Sequence, residues 1–226
     1  MSDTRSKKDT YHHGHLREEL IRLGLEALER EGAEALSLRA LAESAGVSKT
    51  APYRHFKDKD IFLGALADEG YRLLHESLKS SVEPVRGRRR PERPVSAMGR
   101  AYMAFAVARP ALYRLMNSPL ICRMPDELVG WARKSLLLLA ETLEADRAGS
   151  PEDTAARRVG AKGTTGIRRA GHPDLDATAA AWAYIHGLTL IRIDGLYPAD
   201  LPEPDWDRLA GVVPNIDSRG PRDAHG

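Results

Sequence analysis

A chain of 226 residues with 34 Lys and Arg against 32 Asp and Glu carries a formal net charge of +2, so charge as a whole identifies no polyanionic partner. Its single thiol, Cys122, excludes an intrachain disulfide and a multi-cysteine metal site and fits a reducing cytoplasm. No apolar run approaches the roughly 18 residues of a membrane span, and the polar start MSDTRSKKDT lacks the apolar core of a signal peptide, so a cytoplasmic protein without a membrane partner is expected.

In chain order, apolar residues recur at helical spacing. Leu16, Leu20, Leu23 and Ala27 make a first stripe, with Gly32 as its stop; Leu38, Leu41, Ala42 and Ala45 make a second. A third runs through Phe62, Ala65, Leu66 and Leu73, on a helix expected from Lys59 to about Ser80. Beyond the break SVEPVRGRRRPERP come Val95, Met98, Tyr102 and Phe105, then Leu128, Trp131, Ser135 and Leu138, then Leu175, Trp182, Ile185 and Thr189. Prolines at 94, 110, 125, 151 and 173 stand where stripes begin, as suits a residue tolerated in a helix's first turn. No strand pattern emerges. The expectation is an all-α protein of about nine helices: an N-terminal three-helix helix-turn-helix domain followed by a helical bundle.

A composition shift near residue 85 divides a small N-terminal unit from a larger bundle, with expected segments at 1–57, 58–84 (a connecting helix) and 85–213 and a disordered tail at 214–226. The segment RRVGAKGTTGIRRAGHP, rich in glycine, is the least readable part.

The stretch SLRALAESAGVSKTAPYRHF, residues 37–56, carries the chemistry. Ser37 is placed to cap one short helix, Gly46 to end it in a left-handed turn, and Val47 to plug the angle with a second. If Ser48 caps that second helix, Pro52 removes its first intrahelical hydrogen bond; if Thr50 caps it, Pro52 sits harmlessly in the first turn. Lys49, Thr50, Tyr53, Arg54 and His55 project donors, with Lys57 and Lys59 next, while only Phe56 offers substantial apolar surface. A helix so polar is poor core material and well suited to a DNA major groove. The competing reading is a helical hairpin that binds another protein.

LSLRALAESAGVSKTAPYRHFKDKDIFLGAL resembles the N-terminal domain of the TetR family of bacterial transcriptional regulators in its small and apolar positions, its Tyr-x-His-Phe ending and the lysine opening the next helix. The likeness covers roughly residues 12 to 80. It implies that Ser37 and Arg39 lie where a helix crosses the DNA backbone, that Lys49, Thr50 and Ala51 face base edges, and that Tyr53, His55 and Lys59 hold phosphates. It also implies a homodimer on a palindromic operator, acting as a repressor that an unidentified small molecule releases. It makes 85–213 the expected ligand-binding and dimerisation domain. AWAYIHGLTLIRIDGL and ARPALYRLM are similar to a C-terminal domain type of that family bearing a Trp-x-x-x-His-Gly motif. There Trp182, Ala183, Gly187 and Leu190 are expected at the dimer contact. The short last helix, around Asp205 to Val213, departs from the usual pattern.

Met103, Phe105, Tyr113, Met116, Trp131 and Tyr184 combine adaptable shape with occasional donors, and His186 offers one polar anchor; with the resemblance, they read as an effector pocket. His12, His13 and His15 read as a polar entry to the first helix, because no ligand-spaced carboxylate or thiol accompanies them. The run RGRRRPER reads as a solvated linker. No GxSxG, HExxH, P-loop or GxGxxG is present, and His186 and Asp194 stand two turns apart, so neither enzyme nor cofactor nor metal is expected.

Overall fold

The computed structural model describes residues 15–83, 93–125, 130–148 and 174–212. The arm before residue 15, most of the arginine run, the glycine-rich segment and the tail therefore lie outside the described residues. Within them the chain is all-helical: α1 (Leu16–Ala35), α2 (Leu38–Ser44), α3 (Lys59–Val82), α4 (Pro94–Ala108), α5 (Pro110–Met116), α6 (Gly130–Ala148), α7 (Leu175–Ile193) and α8 (Trp206–Ala210). Short 3-10 turns stand at Ala51–Arg54 and Ile121–Arg123. Eight α-helices among the described residues stand near the nine expected, and Pro94 and Pro110 each open one.

Two compact units form, and neither is continuous in sequence. The first takes the chain up to Tyr71 and then Arg109–Gly130; the second takes Arg72–Ala108 and Trp131 onward. This division differs from the boundaries read from composition, because 109–130 joins the N-terminal unit.

In the first unit, α1 buries Leu16, Leu20, Ala27 and Leu28 at helical spacing and interrupts its helical backbone at Gly32 (φ 80°). The opposite face is charged, with Arg22 bonded to both Glu19 and Glu26. Phe56 and Phe62 meet edge to face at 4.8 Å and close the end of the short helices onto α3. Asp58 caps α3, its carboxylate accepting from Ile61 N at 2.9 Å. α5 buries Leu112, Tyr113, Leu115 and Met116 and packs on α1. Gly70 admits it: a Cβ there would stand 2.8 Å from Met116 Sδ and 2.9 Å from Leu112 Cδ1.

In the second unit, α4 packs on both α7 and α8, and Val95, Leu143 and Ala181 form a core with Leu139 against it. Gly99 lets α4 approach α8 backbone to backbone, since a Cβ would sit 2.1 Å from the Ala210 carbonyl oxygen. Asp174 caps α7 through Ala177 N and accepts from Arg147 of α6 at 2.6 Å, which fixes where α7 begins. Asp205 caps the five-residue α8, whose Trp206 is buried.

Candidate nucleic-acid interface

The interface is built on a turn that only glycine makes cheaply. Gly46 adopts φ 69° after α2, and its amide bonds to Glu43 O while Val47 N reaches Ala42 O, at 3.0 and 2.9 Å. This paired closure satisfies two carbonyls of the last turn and reverses the chain. Val47 is half-buried in the angle it creates.

Beyond it, the recognition element is shorter than an α-helix. Ala51–Arg54 is a single 3-10 turn with Thr50 at its cap position and Pro52 buried in its first positions. The Thr50 register therefore holds, and it is the one that tolerates Pro52. Neither Ser37 nor Thr50 makes a side-chain cap bond, which corrects the capping expected of Ser37; Thr50 Oγ1 lies 3.3 Å from Ser48 Oγ instead.

Lys49, Thr50, Tyr53, Arg54, His55 and Lys57 are all exposed, as are Ser37 and Arg39 at the start of α2. Ala51 is half-buried. Below them Phe56 is 1 % exposed, with the Arg17 guanidinium over its ring at 5.5 Å. Exposed donors thus surround a buried anchor in sequence. Lys59 is half-buried, and its ammonium donates to the Glu34 carbonyl at 2.6 Å. That contact uses one of the three ammonium donors. His15 bonds Glu18 at 2.8 Å, a carboxylate partner overlooked in reading the histidines by spacing.

The seven residues read as an effector pocket do not share one unit. Tyr113 and Met116 are fully buried on α5 in the first unit, where the Met116 carbonyl accepts from Tyr71 Oη at 2.9 Å; packing into the space left at Gly70 accounts for the difference. Met103, Phe105, Trp131, Tyr184 and His186 belong to the second unit. There Tyr184 Oη donates to Leu209 O at 3.0 Å, and Met103 Sδ accepts from Arg192 at 3.2 Å. Trp131 has Lys134 Nζ over its ring at 3.8 Å and His75 beside it at 5.3 Å. Burial, with Lys79 and Lys134 nearby, holds His75 below the ordinary histidine range. Burial does the same for His186, which stacks on Trp182 at 5.3 Å.

Of the expected dimer residues, Trp182 and Ala183 are exposed and Gly187 and Leu190 half-buried. With exposed Ile191, the residues Ala183, Gly187 and Leu190 share one side of α7, and exposed Trp182 and Leu175 stand at its margin, next to buried Thr189.

A short helix, a glycine reversal and an exposed donor-rich turn on a small helical unit define a helix-turn-helix DNA-binding protein. Residues 20–66 match the model of bacterial regulatory proteins of the tetR family, and residues 95–212 match the tetracyclin repressor-like C-terminal domain. The chain belongs to the TetR family of DNA-binding transcriptional regulators. This bears out the DNA-binding reading over the protein-interaction one. The HTH-type transcriptional regulator Rv1816 of Mycobacterium tuberculosis is 25% identical over 193 residues, covering 80% of this chain and 82% of that protein. The class C tetracycline repressor protein of Escherichia coli is 46% identical over 59 residues; the match spans 26% of this chain and only 27% of that repressor. A Rhodococcus sp. RHA1 protein of unknown function superposes with a TM-score of 0.63 at 28% identity, over 90% of this chain and 93% of its own.

Sequence reading missed Glu29 of α1. Its carboxylate accepts from Ala111 N at 3.1 Å and Leu112 N at 2.8 Å, capping α5 from outside. The available signal was Pro110 following Arg109, a helix start with no capping side chain of its own.

Proposed function

We propose that this regulator is a homodimeric repressor that binds a palindromic operator and is released by a small molecule. The supporting observation is the reversal at Gly46 followed by exposed Lys49, Thr50, Tyr53 and His55. One 3-10 turn can reach only two or three base pairs. A second copy related by a two-fold axis doubles the contacts and matches a palindrome. The uncovered apolar face of α7 suits that contact, with Trp182 42 % and Leu175 64 % exposed.

In this reading Lys49, Thr50 and Ala51 face base edges, with Ala51 limited to a thymine methyl. Ser37, Arg39, Tyr53, His55 and Lys59 hold the backbone. Binding to fragments selected from random DNA, titrated with salt, tests the assignment. Lys59→Ala should weaken binding to specific and random DNA alike and lower the salt slope by about one unit, whereas Thr50→Ala should relax preference at one base position by about 1–3 kcal/mol. Equal losses on both kinds of DNA for both variants would remove these roles.

In this reading the effector binds in the second unit, among Met103, Phe105, Trp131, Tyr184 and His186, the expected residues that share it. An effector acts by preferring a dimer whose recognition turns no longer match successive major grooves about 34 Å apart, because equal affinity for both states shifts nothing.

A further inference from the structure

Three buried hydroxyls in the second unit follow one habit. Ser135, Thr142 and Thr178 each donate to the carbonyl four residues back, at 3.0, 2.7 and 2.8 Å. Thr189 of α7 is 0 % exposed and does not: its Oγ1 has no partner among the described residues. A hydroxyl both buried and orphaned is costly, and the habitual solution was available to it.

One turn further along α7, the Arg192 guanidinium bonds Met103 Sδ at 3.2 Å and lies 5.9 Å from the centre of the Trp206 ring. Arg192 is exposed, so its other donors reach solvent, and among the described residues no carboxylate pairs with it. A thioether is a weak acceptor for so strong a donor. One turn before Thr189, His186 Nδ1 lies 3.5 Å from Tyr102 Oη. His186, Thr189 and Arg192 therefore run along one edge of α7 at spacings of three, and Tyr102 and Met103 of α4 meet its two ends.

We propose that this edge anchors the effector and that the effector is a small organic carboxylate with an apolar body. The proposal rests on the effector role given above. Arg192 would present its fork to both carboxylate oxygens, displacing the Met103 sulfur, and Thr189 would donate its hydroxyl to the same group. Met103 is 2 % exposed, unbranched and flexible, a side chain able to move aside and pack on the ligand's chain. One guanidinium balances one negative charge. A phosphate dianion would leave charge uncompensated.

The test is thermal shift and calorimetry on the full chain with sodium salts of straight-chain and aryl carboxylic acids, butanoate to dodecanoate and benzoate to naphthoate, each beside its methyl ester. At least one acid should raise Tm and bind ten or more times tighter than its ester. Arg192→Gln should weaken that acid at least tenfold. Thr189→Val should weaken it about fivefold while raising Tm of the ligand-free protein, because a methyl group needs no partner; a merely structural threonine would not couple those two changes. The proposal is overturned if no acid binds, if an ester binds as well as its acid, or if both variants bind like the parent. Operator binding separates the two readings. Release by an ester but not its acid sinks the carboxylate and leaves the effector role standing; an acid that binds at Arg192 without changing operator affinity confirms the anchor and sinks the effector role.

Discussion

Gly187→Leu is expected to give a folded monomer that has lost most of its affinity for a palindromic operator. A Cβ added at Gly187 meets nothing within 4 Å, so a leucine there has open space within its own protomer. Helix propensity favours the change by about 1 kcal/mol, which protects α7. In a dimer the same position lies on the side of α7 with Ala183, Leu190 and Ile191, where a branched side chain holds the partner helix away. A monomer keeps one recognition turn. Forfeiting two or three base pairs at about 1–3 kcal/mol each removes roughly 2–9 kcal/mol, a loss on the order of 10–10⁶ in operator affinity. Sedimentation equilibrium at micromolar concentration checks the first effect and a mobility shift the second. Gly187→Ala should fall between. A Leu variant still fully dimeric, or a parent already monomeric, would move the contact elsewhere.

Helices with regular stripes were legible in the sequence because burial on one face leaves a periodic mark. The helix expected from Lys59 to about Ser80 runs Lys59–Val82, and the short last helix is Trp206–Ala210. What the stripes could not convey is which unit a helix joins. α5 is apolar on the positions that bury Leu112, Tyr113, Leu115 and Met116, and that pattern suits packing in either unit. The deciding feature is an absence, the missing side chain at Gly70, which opens room for Leu112 and Met116. An absence of bulk forty residues away carries no periodicity. Tyr113 and Met116 therefore pack with the first compact unit although they lie within the stretch matched to the C-terminal domain.

The helix-turn-helix and its exposed donors were legible because both parts of the motif are local. Gly46 marks the turn through backbone freedom, and the run from Lys49 to His55 has too little apolar surface to be buried. The shape of the second element was not legible. Pro52 removes an amide early in the segment, and only a tight turn on Thr50 accommodates it, so the helix shrinks to Ala51–Arg54. The polar edge of α7 was hidden for a different reason: Thr189 and Arg192 look ordinary by type, and only the missing back-bond of one and the sulfur partner of the other set them apart.

Glu29→Ala is the second large effect, because two backbone donors depend on one carboxylate. Pro110 has no amide to offer, and Arg109 provides no side-chain cap, so the amides of Ala111 and Leu112 at the start of α5 turn to Glu29 Oε2 and Oε1. A carboxylate at a helix N-terminus also meets the positive end of the helix dipole. Hydrogen bonds to a charged group contribute about 1.5–3 kcal/mol each, and water recovers part of the more exposed one, so a net loss of roughly 2–3 kcal/mol is expected in urea unfolding. Glu29→Gln keeps one acceptor oxygen and should recover about half. Glu26→Ala, which removes only a surface pair with Arg22, should stay within about 0.5 kcal/mol. Hydrogen exchange supplies the specific readout: in Glu29→Ala the amides of Ala111 and Leu112 should lose protection while those buried in α1 keep it. This bears on function as well as stability, since Arg109 alone separates α5, in the unit that reads DNA, from α4, which carries Tyr102 and Met103. If exchange at Ala111 and Leu112 is unchanged and unfolding shifts by less than 0.5 kcal/mol, a typical surface effect, Glu29 does not secure α5.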